Sequence, residues 1–391
     1  MMLPVIAAKN IFRAGVKTWL NAFVLSLSFV IIIWLQGLYE GMNIQVTREM
    51  INAELGGGQY WVASYDPYDP FTIDESHSVP VRHLEDLIQA EKATGILISR
   101  GMIYTDGRAK PILVKGIEPS QKILSIPAES LKPVPGNFTP VLIGTRMAKS
   151  QNLEKGDIFT IQWRDANGAF DARYFEVAEI MKTNVQTIDN NQVWMPLEKM
   201  RDIYGMKGQS TIVVLGKDVE PVPGSGSWVF KSKNVLLKDI KDLVQSKTAG
   251  SLILYMILIF LAMIAVFDTQ VLSIFKRKKE IGMLMALGMT RKKVMALFTM
   301  EGVWYSILAL CLAVIYGTPL LYITGRFGWA LPAATDSYGF AFGERLFPYY
   351  SAGLIAGTII IITGLTTLIS FIPARKIAGM SPTQALRGSI T

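Results

Sequence analysis

Residues 276–301, KRKKEIGMLMALGMTRKKVMALFTME, lie between two apolar runs long enough to cross a bilayer, and no other stretch constrains the fold as much. A connection rich in Lys and Arg at both ends belongs on the cytoplasmic side of a membrane, where cations collect. Within it Ile281, Leu284, Met285 and Gly288 recur at i, i+3, i+4 and i+7, which predicts a short helix with one apolar face. Gly288 suits the end of that helix, and Thr290 is a good N-cap for the next. The chain therefore leaves the membrane, makes a basic elbow and re-enters. A plain stop-transfer connection would account for the charges alone.

The rest of the chain divides around this elbow. The mean hydropathy of +0.32 exceeds that of a soluble protein, yet 18% of the residues are charged, so a few spans accompany a sizeable exposed domain. The expected fold is an α-helical membrane protein with four transmembrane helices and a large extracytoplasmic α+β domain between the first and second. A cytoplasmic amphipathic helix occupies 1–17, with Lys9, Arg13 and Lys17 on one face. The spans follow at 18–39, 250–275, 294–323 and 349–372, with Pro373 expected to break the last. The α+β domain with its stalk helices takes 40–249, the elbow 276–293, an outer loop 324–348 and a cytoplasmic tail 373–391. Cations cluster before the first span, in the elbow and after the fourth, which predicts that both termini are cytoplasmic.

Within 59–233, short β-like runs alternate with helices. Strands are expected at Tyr60–Ala63, Gly95–Ser99, Pro111–Lys115, Thr139–Gly144, Ile158–Trp163, Tyr174–Met181, Val193–Met195 and Thr211–Leu215, with Arg164–Arg173 as a loop. His77 and His83 lack companion Cys or clustered carboxylates, so surface roles outweigh a metal site. The single Cys311 excludes an intramolecular disulfide. The net charge of +8 resides largely beside membrane spans, which argues against nucleic acid as the partner. No catalytic constellation stands out, and no G-x-x-x-x-G-K-[ST] run provides for nucleotide hydrolysis. Asp268 and Glu301 sit at similar shallow depths in the second and third spans, close enough to reach headgroups or the nearby cations.

The wording of three segments carries a resemblance. Glu280-Ile281-Gly282, Ala286-Leu287-Gly288 and Arg291 resemble the E-I-G-x-L-x-A-L-G-x-x-R signature of MacB/FtsX-like ABC transporter permeases. Pro140–Gly144, Met147-Ala148, Leu153 and Gly156-Asp157 are similar to the run that opens the family's sabre subdomain, which sits on a porter subdomain. The tail from Pro373 through Pro382 to Arg387 resembles the family's P-A-x-x-A-x-x-x-P-x-x-A-L-R ending. Met285 departs from the pattern, where Arg or Lys is frequent. In layout the chain is most similar to the LolC/LolE lipoprotein-releasing permeases. The hook loop that captures a periplasmic chaperone there corresponds here to Arg164–Arg173, which is short and lacks proline.

The resemblance implies a non-enzymatic subunit of the bacterial inner membrane that works with an ABC ATPase dimer and a second permease copy or paralogue. ATP and magnesium would be held by the ATPase, and this chain would carry no cofactor of its own. Lys279, Glu280, Ile281, Gly282, Leu284, Leu287, Gly288 and Arg291 would form the coupling surface. The expected cargo is a lipoprotein, with a MacB-like exporter of peptides or amphiphiles and an FtsX-like signal to a cell-wall hydrolase as alternatives. Extracting an acyl chain requires an apolar route, since each buried CH₂ is worth about 0.8 kcal/mol. Leu25, Phe29, Ile33, Leu254, Leu258 and Leu261 occupy the matching depths of the first two spans and are the expected cavity lining between opposing subunits.

Overall fold

Every long apolar run becomes a helix in the computed structural model, which describes residues 7, 15–105, 107–132, 138–183, 186–222, 224, 226–330 and 345–378. The amphipathic lead before residue 15, apart from Ala7, and the tail from 379 onward lie outside these residues. Helix α1 (Val16–Met50) passes without a break through the amphipathic segment after Gly41 and closes in a π turn at Ile51–Leu55. Helices α2 (Lys238–Lys276), α3 (Lys278–Ala286), α4 (Arg291–Phe327) and α5 (Ala352–Ala378) follow. Among the described residues four helices are long and apolar enough to span a membrane: Thr18–Leu55, Leu252–Lys276, Arg291–Phe327 and Ala352–Lys376.

Pro373 does not end the fourth span. Helix α5 continues through it to Ala378, and α4 likewise contains Pro319. Proline removes the donor that would bond the Ile369 carbonyl, yet the helix runs on past it, as helices packed among other spans can. The extra turn has a structural role, because Ala374 is buried against the elbow.

The described residues form two compact units, one built from the spans and one from 43–242. In the first, Leu25, Phe29 and Val30 of α1 pack on Ala262 and Val266 of α2, Ala309 and Ala313 of α4, and Ile362 of α5. Small residues let these helices approach closely. Gly302 of α4 lies close against α5, since a Cβ there would lie 2.0 Å from Ser370 Oγ. A two-stranded ribbon, Trp329–Ala330 with Arg345–Leu346, brackets residues 331–344 of the outer loop, which lie outside the described set.

The second unit is a nine-stranded sheet of β1 (Gln59–Val62), β2 (Ala93–Thr105), β3 (Arg108–Ile117), β4 (Thr139–Gly144), β5 (Ile158–Arg164), β6 (Phe170–Met181), β7 (Gln192–Pro196), β8 (Ile212–Leu215) and β9 (Trp228–Lys231). Strand β2 is long enough to serve twice. Its first half pairs with β8, while its second half pairs with β5. Pairings β2–β3, β3–β7, β7–β4, β4–β6, β6–β5 and β5–β2 then close a ring. Leu97, Val114, Val141, Ile161, Phe175 and Val193, one from each strand of the ring, share its core. The next residue along, Ile98, belongs to a different cluster with Ile212 and Trp194, as strand alternation requires. Strands β1, β8 and β9 extend beyond the ring as an open sheet covered by the helix Arg82–Gln89.

Several expected strands prove longer. The hairpin of β2 and β3 pairs from Leu97↔Gly116 out to Thr105↔Arg108, although its outer half is polar. The β5–β6 ladder reaches Arg164↔Phe170, so the loop expected over Arg164–Arg173 shrinks to residues 165–169. Asp165 Oδ1 accepts from the Asn167 and Ala169 amides, and the Ala166 amide donates to the Tyr204 carbonyl, holding the tip against the domain. Strand β9 was not expected from the sequence.

Candidate functional site

The elbow is built where α2, α3 and α4 meet. Arg277 follows the last residue of α2 and serves as N-cap of α3, while Leu287 is the C-cap of α3. Gly288 then turns the chain at φ +96°, a region that favours glycine, and its amide donates to the Met285 carbonyl at 3.1 Å. Thr290 stands as N-cap of α4 in extended conformation, without a side-chain cap bond. This compact turn returns α4 alongside α3.

Its interior joins apolar and ionic parts. Ile281 is 2% exposed and packs with Ile274, Val294, Phe298 and Ala374, one contribution from each neighbouring helix plus a second from α4. Arg277 extends into the same junction. Its Nη1 donates to Glu301 Oε1 at 2.8 Å and its Nε to Glu280 Oε2 at 3.0 Å. The guanidinium lies 5.4 Å from the centre of the Phe298 ring. Burial disfavours its charge, but Glu301 and then Glu280 outweigh that and hold its pKa above the ordinary value. One planar fork therefore ties the exit of α2, the first turn of α3 and the wall of α4.

The expected coupling residues divide between two faces. Ile281 and Gly282 are buried within this chain, and Leu284 is half-buried. Lys279, Glu280, Leu287, Gly288 and Arg291 are exposed, Leu287 at 79%. Met283, which the sequence did not single out, is exposed at 56% beside them. The outward face thus carries Met283 and Leu287 among charges, whereas Ile281 and Gly282 point into the subunit. The apolar spacing of Ile281 and Leu284 identified the inner side of α3, not its outer one.

Equal depth did not mean equal environment for the two intramembrane carboxylates. Glu301 is buried and paired with Arg277, while Asp268 is exposed on α2. The expected cargo lining also divides. Leu25, Phe29 and Ile33 are 1%, 0% and 7% exposed, already covered by this subunit's own helices. Leu258 is half-buried against the same cluster, and Leu254 and Leu261 remain exposed on α2. The cavity beside Leu25 measures only about 10 Å³, room for at most one water. Elsewhere, His77 Nδ1 is bonded to Gln209 Oε1, and no group of metal-ligating side chains occurs among the described residues.

Residues 252–382, which contain the whole elbow, match the family described as FtsX-like permease C-terminal. An uncharacterised ABC transporter permease of Methanocaldococcus jannaschii is 23% identical over 233 residues, covering 55% of each chain. The ABC transporter permease YtrF of Bacillus subtilis is 25% identical over 131 residues, 34% of this chain and 30% of that one. The similarity thus spans about half or less of those two relatives. The lipoprotein-releasing system transmembrane protein LolC of Xylella fastidiosa is 23% identical over 317 residues, 72% of this chain and 74% of that protein.

Proposed function

We propose, from the premise that the chain belongs to the FtsX/MacB/LolC-type ABC transporter permeases, that it transmits the motion of a partner ATPase dimer to its α+β domain. The carrying observation is the keyed elbow. Arg277 fixes α3 to α4 through Glu301, Ile281 and Ala374 fix it to the ends of α2 and α5, and Met283 and Leu287 face outward. A load on that outward face therefore passes to the spans rather than being absorbed by a loose connection. The elbow is cytoplasmic in this reading, with both termini on the same side, in the inner membrane of a bacterium. ATP and magnesium belong to the ATPase, and a second permease copy or paralogue completes the complex.

The proposed cargo is a lipoprotein drawn out of the membrane, supported by similarity to LolC over most of both chains. The tied-down five-residue tip of the β5–β6 hairpin argues against this subunit capturing a chaperone. The test is reconstitution with the partner ATPase in proteoliposomes carrying a labelled triacylated lipoprotein. ATP should release the label, and Leu287→Asp should abolish both release and ATPase stimulation while the protein stays folded. Full activity in the variant overturns coupling through the elbow. ATP-driven movement of peptide with no lipoprotein release overturns the cargo. ATPase activity with no cargo moved supports signalling instead.

A further inference from the structure

We propose that the α+β domain binds an extended apolar peptide segment in a cleft on one face of its sheet. The cleft measures about 780 Å³ and crosses the sheet from Val229 on β9 to Gln192 on β7, over Ile212, Ile98 and Leu113. Its walls are the end of the first helix at Met50–Leu55, the segment 235–238 and the loop 62–68. Largely apolar concavities of this size with a few placed polar groups are the usual form of ligand sites.

The polar end decides the chemistry. Lys115 is 3% exposed, its Nζ 2.6 Å from Glu54 Oε1 and 5.0 Å from the centre of the Trp194 ring. Gln192, paired with Leu113 in register, is also 3% exposed, and its Oε1 receives no hydrogen bond among the described residues. Folded proteins leave few buried acceptors in that condition. Glu54 neutralises Lys115, so this end does not call for a net anion. It offers an ammonium with hydrogens to spare beside an acceptor lacking a donor. A secondary amide complements both, its carbonyl toward Lys115 and its N–H toward Gln192. A fatty-acid carboxylate or a lipid phosphodiester brings acceptors alone and leaves Gln192 unsatisfied. Amides joined to apolar side chains, to lie over Ile98, Leu113 and Ile212, make up a peptide.

The assay uses the full chain in lipid nanodiscs without ATP or ATPase, so its result is independent of coupling at the elbow. The probe is a fluorescein-labelled, C-amidated heptapeptide, Ala-Ile-Ala-Val-Ala-Leu-Ala, followed by polarisation. Saturable binding is expected, and Gln192→Leu should weaken it about tenfold or more, equivalent to about 1.4 kcal/mol. The variant should melt at the wild-type temperature, since the lost oxygen had no partner within the fold. Absence of saturable binding overturns the proposal, as does equal binding by a folded Gln192→Leu. Dodecanoate that displaces the probe from wild type and binds Gln192→Leu undiminished marks the cleft as an amphiphile site, and also overturns it.

Discussion

The elbow and the sheet cleft each bury an ion pair, and the two pairs are alike in their first contacts. Arg277 meets Glu301 at 2.8 Å and Lys115 meets Glu54 at 2.6 Å, each cation lying over an aromatic ring. They differ in what is left over. The fork of Arg277 uses a second edge on Glu280, and apolar side chains from α2, α3, α4 and α5 close around the junction. Lys115 is a point charge with one carboxylate, and the neighbouring Gln192, which lines the cleft, keeps a buried oxygen with no hydrogen bond among the described residues. A fork spanning two carboxylates on different elements makes a joint, whereas a single ammonium beside open space makes a site.

The sharpest way to break this contrast is to remove one partner from each pair. Glu301→Leu should cost about 3 kcal/mol or more, because it leaves a half-buried guanidinium, packed on Phe298 within the junction, with only the exposed Glu280. Adding Arg277→Met should recover most of that loss, which a double-mutant cycle on unfolding in mild detergent will read. Strict additivity of the two losses would mean that the residues do not act as one joint. Lys115→Met should cost less, about 2 kcal/mol, since Glu54 lines the open cleft, where water can take the place of the ammonium, whereas apolar side chains from four helices close around Arg277. Thermal unfolding of the purified protein checks the order. A greater loss from Lys115→Met than from Glu301→Leu reverses the assignment of joint and site.

How far the sequence revealed these two regions follows from the range of the interactions. The elbow was legible because its determinants are local. Apolar spacing, Gly288 and Thr290 all act within one or two turns, and α3 forms between Lys278 and Ala286 as they require. The tie between Arg277 and Glu301 spans 24 residues and three elements, so only the costly position of Glu301 near cations hinted at it. Strand cores such as Val141–Ile143 were legible from their apolar runs. The outer half of the β2–β3 hairpin was not, because Arg100, Lys110 and Arg108 interrupt the apolar pattern there while cross-strand pairing still holds it. Closure of the ring by the double use of β2 is a non-local fact that no window of sequence contains. Pro373 misled for the opposite reason: a strong local rule was overridden by packing, since Ala374 in the turn that follows is buried against the elbow.

The smallest expected effect on stability sharpens the comparison most, because it separates the two faces of one short helix. Ile281 and Met283 lie two residues apart on α3, one 2% and the other 56% exposed. Asp at Ile281 places a charge among Ile274, Val294 and Phe298, where the nearby Arg277 is already held by Glu301 and Glu280, so the elbow should loosen and the spans lose stability. Asp at Met283 meets no such interior, and its effect on unfolding should stay within about 0.5 kcal/mol. Stimulation of the partner ATPase should nevertheless fall for both, in the first case through a disordered joint and in the second through a damaged contact surface. Hydrogen exchange over 276–301 distinguishes the causes, with faster exchange for Ile281→Asp and an unchanged profile for Met283→Asp. If Met283→Asp stimulates the ATPase as well as wild type does, the exposed face of α3 is ordinary surface and the load enters elsewhere.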